Sequence, residues 1–417
     1  MQIFSFFALA ECKNVVSLPR EHRYIYMRME GLIRVYKKLL RETTTEFHRY
    51  LYDQINWNNR IVGIRGPRGV GKTTMMLQHI KENLPVDEVL YVNADDIYFS
   101  NNKLIDLAER LVQRGVRYLY IDEIHKYKDW AKELKLIYDY YSELQVVFSG
   151  SSVLDINKGA ADLSRRAVMY YLQGLSFREY LKLFEGITVP QYSLDEIVEG
   201  KPEQLTIKTP LKCFDEFLKR GYYPFSKEEG FDEKLRQIIN LTLESDIPVF
   251  AEMSAAMGRK FKQLMMIISQ SAPFKPNMSK LADIVGIGRN LMPDYLRHIE
   301  EAGMITQLRD DTGGIRGLGK VDKVYLDNTN LIYSLAENEM NVGNLRETFF
   351  LNQMRVNNSV VASSVGDFKI GERVFEVGGK SKGQRQIQGV EQGFIVKDNI
   401  ELSSGNILPL WWFGLNY

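Results

Sequence analysis

Ile61-Val62-Gly63-Ile64-Arg65-Gly66-Pro67-Arg68-Gly69-Val70-Gly71-Lys72-Thr73-Thr74 decides how this chain is read. The apolar run Ile61–Ile64 predicts a buried strand, a glycine-rich turn follows, and Lys72–Glu82 has the pattern of a helix. Glycines let such a turn curl until successive N–H groups point inward, and the helix N-terminus adds its positive dipole end. Gly66 to Thr73 fits the G-x-x-x-x-G-K-[ST] spacing of a phosphate-binding loop. Gly66, Pro67, Arg68, Gly69, Val70, Gly71, Lys72, Thr73 and Thr74 are therefore the candidate nucleotide contacts. Lys72 is expected to reach the β- and γ-phosphates, and Thr73 to place its hydroxyl on a metal ion. The cofactors implied are ATP and Mg2+.

Downstream, short apolar runs alternate with helical patterns. Val89–Val92, Tyr118–Ile121, Gln145–Phe148 and Val168–Leu172 read as strands, and Asn101–Arg114 and Trp130–Tyr141 as helices. Strands separated by helices indicate parallel βαβ units, and unbroken apolar runs indicate strands buried on both faces. In such a sheet the carboxyl ends of strands gather beside the loop. Asp122 and Glu123 end one of them. Asp122 is the expected Mg2+ holder, and Glu123 the base that orients and deprotonates an attacking water. Ser149 and Ser151 follow another strand, where hydroxyls can sense the γ-phosphate. Arg165 and Arg166 precede the fifth strand, and either is a candidate arginine finger.

At 417 residues the chain is too long for one core. The expected division is 1–29, an extension; 30–180, the ATPase core; 181–255, a helical lid; 256–335, a winged helix-turn-helix; and 336–417, a small α/β tail. The whole stretch 30–56 reads as helical. The chain is 45% hydrophobic and 26% charged, with a net charge of +1, so no global field steers it to nucleic acid or to a membrane. No apolar run is long enough to span a bilayer. Cys12 and Cys213 show neither metal-ligand spacing nor a disulfide framework, which points to a reducing, cytoplasmic setting. Ile3–Ala10 is apolar but short and unpreceded by Lys or Arg, unlike a signal peptide. A natural start at Met27 or Met29, ahead of the helical pattern Leu32, Val35, Tyr36, Leu39, Leu40, is expected instead.

IRGPRGVGKTT, YIDEIHKYKDW, FSGSS and LSFREYL occur in that order and at a spacing that resembles predicted AAA+-superfamily ATPases of bacteria and archaea, whose core is followed by an uncharacterised C-terminal region. Gly221–Pro224 resembles the turn after that core, and Asp367-Phe368 with Phe375–Lys380 resembles the tail. The resemblance implies an AAA+ core with sensor hydroxyls near Ser149 and Ser151. It also favours Arg166 over Arg165 as the finger, acting in cis or in trans.

Phe261–Ala272, Met278–Val285 and Asn290–Ala302 predict three helices, followed by a glycine-rich segment and the strand Val324–Leu326, the layout of a winged helix. Arg289, Asn290, Arg297 and His298 are its candidate DNA contacts, diluted by Asp294, Glu300 and Glu301. In the tail, Val374–Val377, Phe394–Val396 and Ile407–Phe413 read as strands. Asp367, Glu376 and Lys380 suggest a restriction-endonuclease-like centre, in which two carboxylates hold Mg2+ and a lysine activates water. Gly378 occupies the expected lysine position, so a degenerate copy without nuclease activity is expected. The fuel is thus ATP. The energy is expected to serve as a switch or motor on a partner, either DNA or protein.

Overall fold

A computed structural model describes residues 20–150, 163–271, 273–311, 320–335, 342–380 and 387–417, with the backbone alone at 20–28, 250 and 255. The chain divides into two compact units, Met1–Leu172 and Gln173–Tyr417.

The first unit is built on five short strands: β1 (Ile61–Arg65), β2 (Val89–Asn93), β3 (Tyr118–Asp122), β4 (Gln145–Gly150) and β5 (Ala167–Tyr171). Their order is β2-β3-β4-β1-β5, and every pairing is parallel. Helices α1 (Arg20–Glu42), α2 (Lys72–Asn83), α3 (Leu104–Gln113) and α4 (Trp130–Tyr140) accompany them. The inner strands are apolar almost throughout because helices leave neither face to water. Since β3, β4 and β1 are neighbours, with Ile121 opposite Phe148 and Ile64 opposite Ser149, their carboxyl ends form one continuous edge.

Helix α1 stops at Glu42, short of the helix expected to continue to residue 56. Three consecutive β-branched residues, Thr43, Thr44 and Thr45, follow, and such side chains crowd the preceding helical turn. The Thr43 hydroxyl donates to the Leu39 carbonyl at 2.8 Å and satisfies a C-terminal carbonyl that the broken helix leaves open. The segment after it lies on α2, whose Gln78 side chain donates to the carbonyls of Thr44 and Phe47.

In the second unit, the helix Phe177–Glu185 opens on a capping box: Ser176 Oγ accepts from Glu179 N, and Glu179 accepts from Ser176 N. Further on come the helices Ala255–Ser271, Met278–Val285 and Met292–Glu301. They lead into an antiparallel ribbon, β6 (Ile305–Arg309) with β7 (Val321–Leu326). Strand β6 was not expected from the sequence, because ITQLR lacks a clean apolar run. Phe274, between the first two of these helices, bridges Val324 of the ribbon. The tail sheet has the order β12-β11-β10-β9-β8. Its strands are β8 (Val361–Ala362), β9 (Phe368–Ile370), β10 (Arg373–Gly378), β11 (Gly393–Lys397) and β12 (Ile407–Pro409). The strand expected over Ile407–Phe413 ends at Pro409, which has no N–H for the ladder, and Leu410–Leu415 continues as a 3-10 turn. Trp412 and Phe413 are buried there with Phe349, Phe350 and Phe375 in one aromatic core.

Candidate functional site

The loop after β1 is shaped by Gly66, Gly69 and Gly71, all at positive φ. Gly66 also has no room for a side chain: an added Cβ would lie 2.2 Å from the Leu172 carbonyl oxygen. The loop is braced from outside by Arg49, a buried side chain that donates to the Val70 carbonyl. Lys72 is only 5% exposed, and its ammonium donates to the carbonyls of Gly66 and Pro67, each at 2.8 Å. Burial lowers the Lys72 pKa to about 8. The nearby carboxylates of Glu123 and Asp122 oppose that shift, and Arg68 adds to it. Thr74 is exposed on the first turn of α2.

Across the strand ends, Asp122 is the centre of a convergent set of donors. Its Oδ2 accepts from Thr73 Oγ1 at 2.5 Å and from Tyr91 Oη at 2.8 Å. Its Oδ1 accepts from Ser149 Oγ and, at 3.0 Å, from the Glu123 N–H. Strand adjacency explains the convergence: Thr73 follows β1, Tyr91 lies on β2, Asp122 ends β3 and Ser149 lies in β4. Burial, then the Asp122 charge, pushes the Tyr91 hydroxyl pKa up, so it remains a donor. Glu123 stands next along, in a left-handed conformation at φ 50°, with its carboxylate 3.4 Å from His125 Nε2. Ser151 lies outside the described residues.

A hydroxyl and a carboxylate held together beside a lysine are hard oxygen donors, and they suit Mg2+. Among the described residues no group of three or more His, Cys, Asp or Glu side chains could hold a metal. A site completed by nucleotide oxygens and water needs no such group.

Arg166 lies elsewhere. It makes a two-point ion pair with Asp139 of α4, Nε–Oδ1 at 3.0 Å and Nη2–Oδ2 at 3.1 Å, and sits over the Tyr138 ring. Because Ala167 is opposite Ile61 while Tyr171 is opposite Arg65, Arg166 is at the amino end of the sheet and the loop is at the carboxyl end. The strand rise puts the two roughly 20 Å apart. Arg165 is exposed.

The other sequence candidates lie in the second unit. Asp367 Oδ1 is 3.3 Å from Lys323 Nζ, and its Oδ2 accepts from Val377 N at 3.0 Å. Lys323 also pairs with Glu347 at 3.2 Å, and Tyr325 Oη donates to Glu347 at 2.8 Å. Burial, then the Asp367 charge, raises the Glu347 pKa. Glu376 is buried on β10, where strand alternation turns it away from the face of Phe375 and Val377. Lys380 is exposed and follows β10, and its carbonyl accepts from Lys397. His298, expected to face DNA, is instead 9% exposed, with a pKa lowered by burial. It is a core residue of its helix. Lys382 and Arg385, basic neighbours of the tail candidates, lie outside the described residues.

Sequence reasoning missed Arg49, Tyr91 and His125. Tyr91 and His125 left faint signals: a tyrosine in an otherwise aliphatic strand, and a histidine two residues beyond Glu123. Arg49 left none.

Residues 58–181 match a family described as an AAA domain. No curated protein matches the chain. Among solved structures, a variant of Thermotoga maritima RuvB is 14% identical with TM-score 0.28, covering 67% of this chain and 89% of its own. DnaA from Aquifex aeolicus, bound to AMPPCP, is 16% identical with TM-score 0.23, covering 68% and 89%. C. elegans PCH-2 is 13% identical with TM-score 0.24, covering 69% and 73%. Such low scores carry no argument. The fold reading rests on the strand order and the family match.

Proposed function

We propose that this chain, whose residues 58–181 belong to the AAA domain family, is a Mg2+-dependent, cytoplasmic ATPase that uses hydrolysis to act on a partner. One observation carries the reading: Thr73 and Asp122, 49 positions apart, meet at 2.5 Å beside the buried Lys72. Nothing in local structure requires a loop threonine to touch a distant strand-end aspartate. A shared metal ion does.

In this reading Lys72 leaves the loop carbonyls for the β- and γ-phosphate oxygens, and the loop N–H groups surround them. Mg2+, when bound, neutralises phosphate charge, with Thr73 and Asp122 as its protein holders. Glu123 orients a water and accepts its proton. Ser149, already on Asp122, and Ser151 serve as γ-phosphate sensors. Arg166 supplies the finger to a neighbouring copy, since its own loop is out of reach.

The three helices, the ribbon and the Phe274–Val324 bridge support a winged helix over 256–335, between a helical lid at 181–255 and the tail. Its outward residues favour a protein partner over DNA. Arg297 is neutralised by Asp294 at 3.3 Å, and Ile284 and Leu291 are about half exposed. In the tail, Asp367 is neutralised by Lys323, which supports a degenerate centre.

The test is ATP turnover and nucleotide affinity in two variants. Lys72→Ala should weaken ATP binding on the order of a hundredfold. Glu123→Gln should bind ATP normally and lose about 100- to 10,000-fold in turnover. Added duplex DNA should leave the wild-type rate unchanged. Wild-type turnover in Glu123→Gln would remove the base assignment, and DNA stimulation would restore the nucleic-acid reading.

A further inference from the structure

The proposal below rests on the ATPase reading and deepens it. The chain turns sharply after β3. Glu123 takes φ 50° and ψ 40°, a left-handed conformation that residues with side chains rarely adopt. It caps the short 3-10 turn Ile124–Lys126, closed by Lys126 N donating to Glu123 O at 2.9 Å and Tyr127 N to Ile124 O at 3.0 Å. The turn doubles the chain back, so that the side chain of His125 returns to that of Glu123.

The result is an asymmetric pair. The His125 side chain is 4% exposed and that of Glu123 23%, with imidazole Nε2 3.4 Å from Glu123 Oε2. A buried imidazole has few rotamers open to it, so it is a firm anchor. A glutamate has three side-chain torsions and is a poor base unless something fixes its direction. Catalytic bases are commonly oriented by a third group behind them. Here the backbone strain and the buried ring both bear on one carboxylate, and that carboxylate is the one next to Asp122. Strained backbone persists where surrounding structure over-determines it, and such places cluster at functional sites.

We propose that His125 is the positioning residue for Glu123: its Nε2 holds Oε2 and leaves Oε1 directed at the attacking water. No bond to substrate is involved. His125 acts only through Glu123, by fixing the direction in which the proton is received.

The experiment compares three full-length variants, His125→Ala, His125→Leu and His125→Gln, for kcat, ATP affinity and thermal midpoint. His125→Leu fills the buried volume without a polar atom. His125→Gln keeps an N–H that can reach the carboxylate. A misdirected base should lower kcat roughly 10- to 100-fold in the Ala and Leu variants. ATP affinity should stay within about twofold, because Glu123 does not hold the nucleotide. His125→Gln should recover most of the turnover. If His125→Ala does not fold, the Leu and Gln pair decides alone. Equal kcat in Leu and Gln overturns the proposal, as does a loss of ATP affinity matching the loss of rate. Wild-type turnover in Glu123→Gln would overturn the base assignment together with this proposal. Wild-type turnover in His125→Leu, with Glu123→Gln inactive, overturns this proposal alone.

Discussion

Lys72 shows how much one residue can be made to report. Burial lowers its pKa to about 8, so in the free protein the ammonium is lost just above that pH. Only the charged form attracts phosphate, and a bound phosphate raises the pKa again. ATP binding therefore takes up a proton at pH above 8, and affinity should fall by up to about tenfold per pH unit there. Titrating a fluorescent ATP analogue from pH 7 to 10 measures the slope. Lys72→Arg, charged throughout, should give a flat line over the same range. A flat wild-type line would show that Lys72 does not bind phosphate. The residues of this prediction were legible in the sequence, since Lys72, Thr73, Asp122 and Glu123 each follow an apolar run at a readable spacing. Tyr91 and Arg49 were not. Their roles exist only once β2 is placed beside β3, and the residues before β1 beside the loop. Pairing across the sheet is not written in any local pattern.

Between residue and domain, the segment 43–60 is the element the sequence described least well. Its helical period continues past Glu42, but tertiary contacts override it, and Trp57 ends stacked on His79 of α2 with ring centroids 4.0 Å apart. His79 Nδ1 is 2.7 Å from Tyr120 Oη, and burial lowers its pKa from 6.5 to about 4. The folded unit thus holds the neutral ring. The unfolded chain binds a proton at higher pH, so this contribution is complete above pH 6.5 and is lost as pH falls toward 4. The effect is on the order of 2 kcal/mol. Urea unfolding followed by tryptophan fluorescence should show the midpoint dropping between pH 7 and 4.5. In His79→Gln the drop should be smaller by about that amount. Equal drops in both proteins would show that the stack is not pH-sensitive. By contrast, Met278–Val285 was read to the residue, because Asn277 caps its start and Gly286 its end. Elements punctuated by local chemistry are legible, and elements ended by packing are not.

For the molecule as a whole, the parallel register of β1 and β5 settles a question the sequence left open. Arg166 is at the amino end of the sheet and the phosphate loop at the carboxyl end, too far for an arginine to serve its own nucleotide. A finger role therefore requires a second copy. The restraint on Arg166 is weak: its pair with Asp139 is partly exposed, and such pairs contribute about 0–1 kcal/mol. Release toward a neighbour costs little. Mixing two inactive proteins tests this. Lys72→Ala keeps the finger but cannot bind ATP, and Arg166→Ala binds ATP but should turn over on the order of 1000-fold more slowly. In an equimolar mixture, the Arg166 of one copy can complete the loop of the other. Turnover should then exceed the sum of the separate proteins by far more than tenfold, and should fall on dilution as the copies separate. If the mixture gives only the sum at every concentration, Arg166 belongs to the packing of α4 against the sheet, and charge stabilisation in the transition state must come from Lys72 and the loop N–H groups of the same chain.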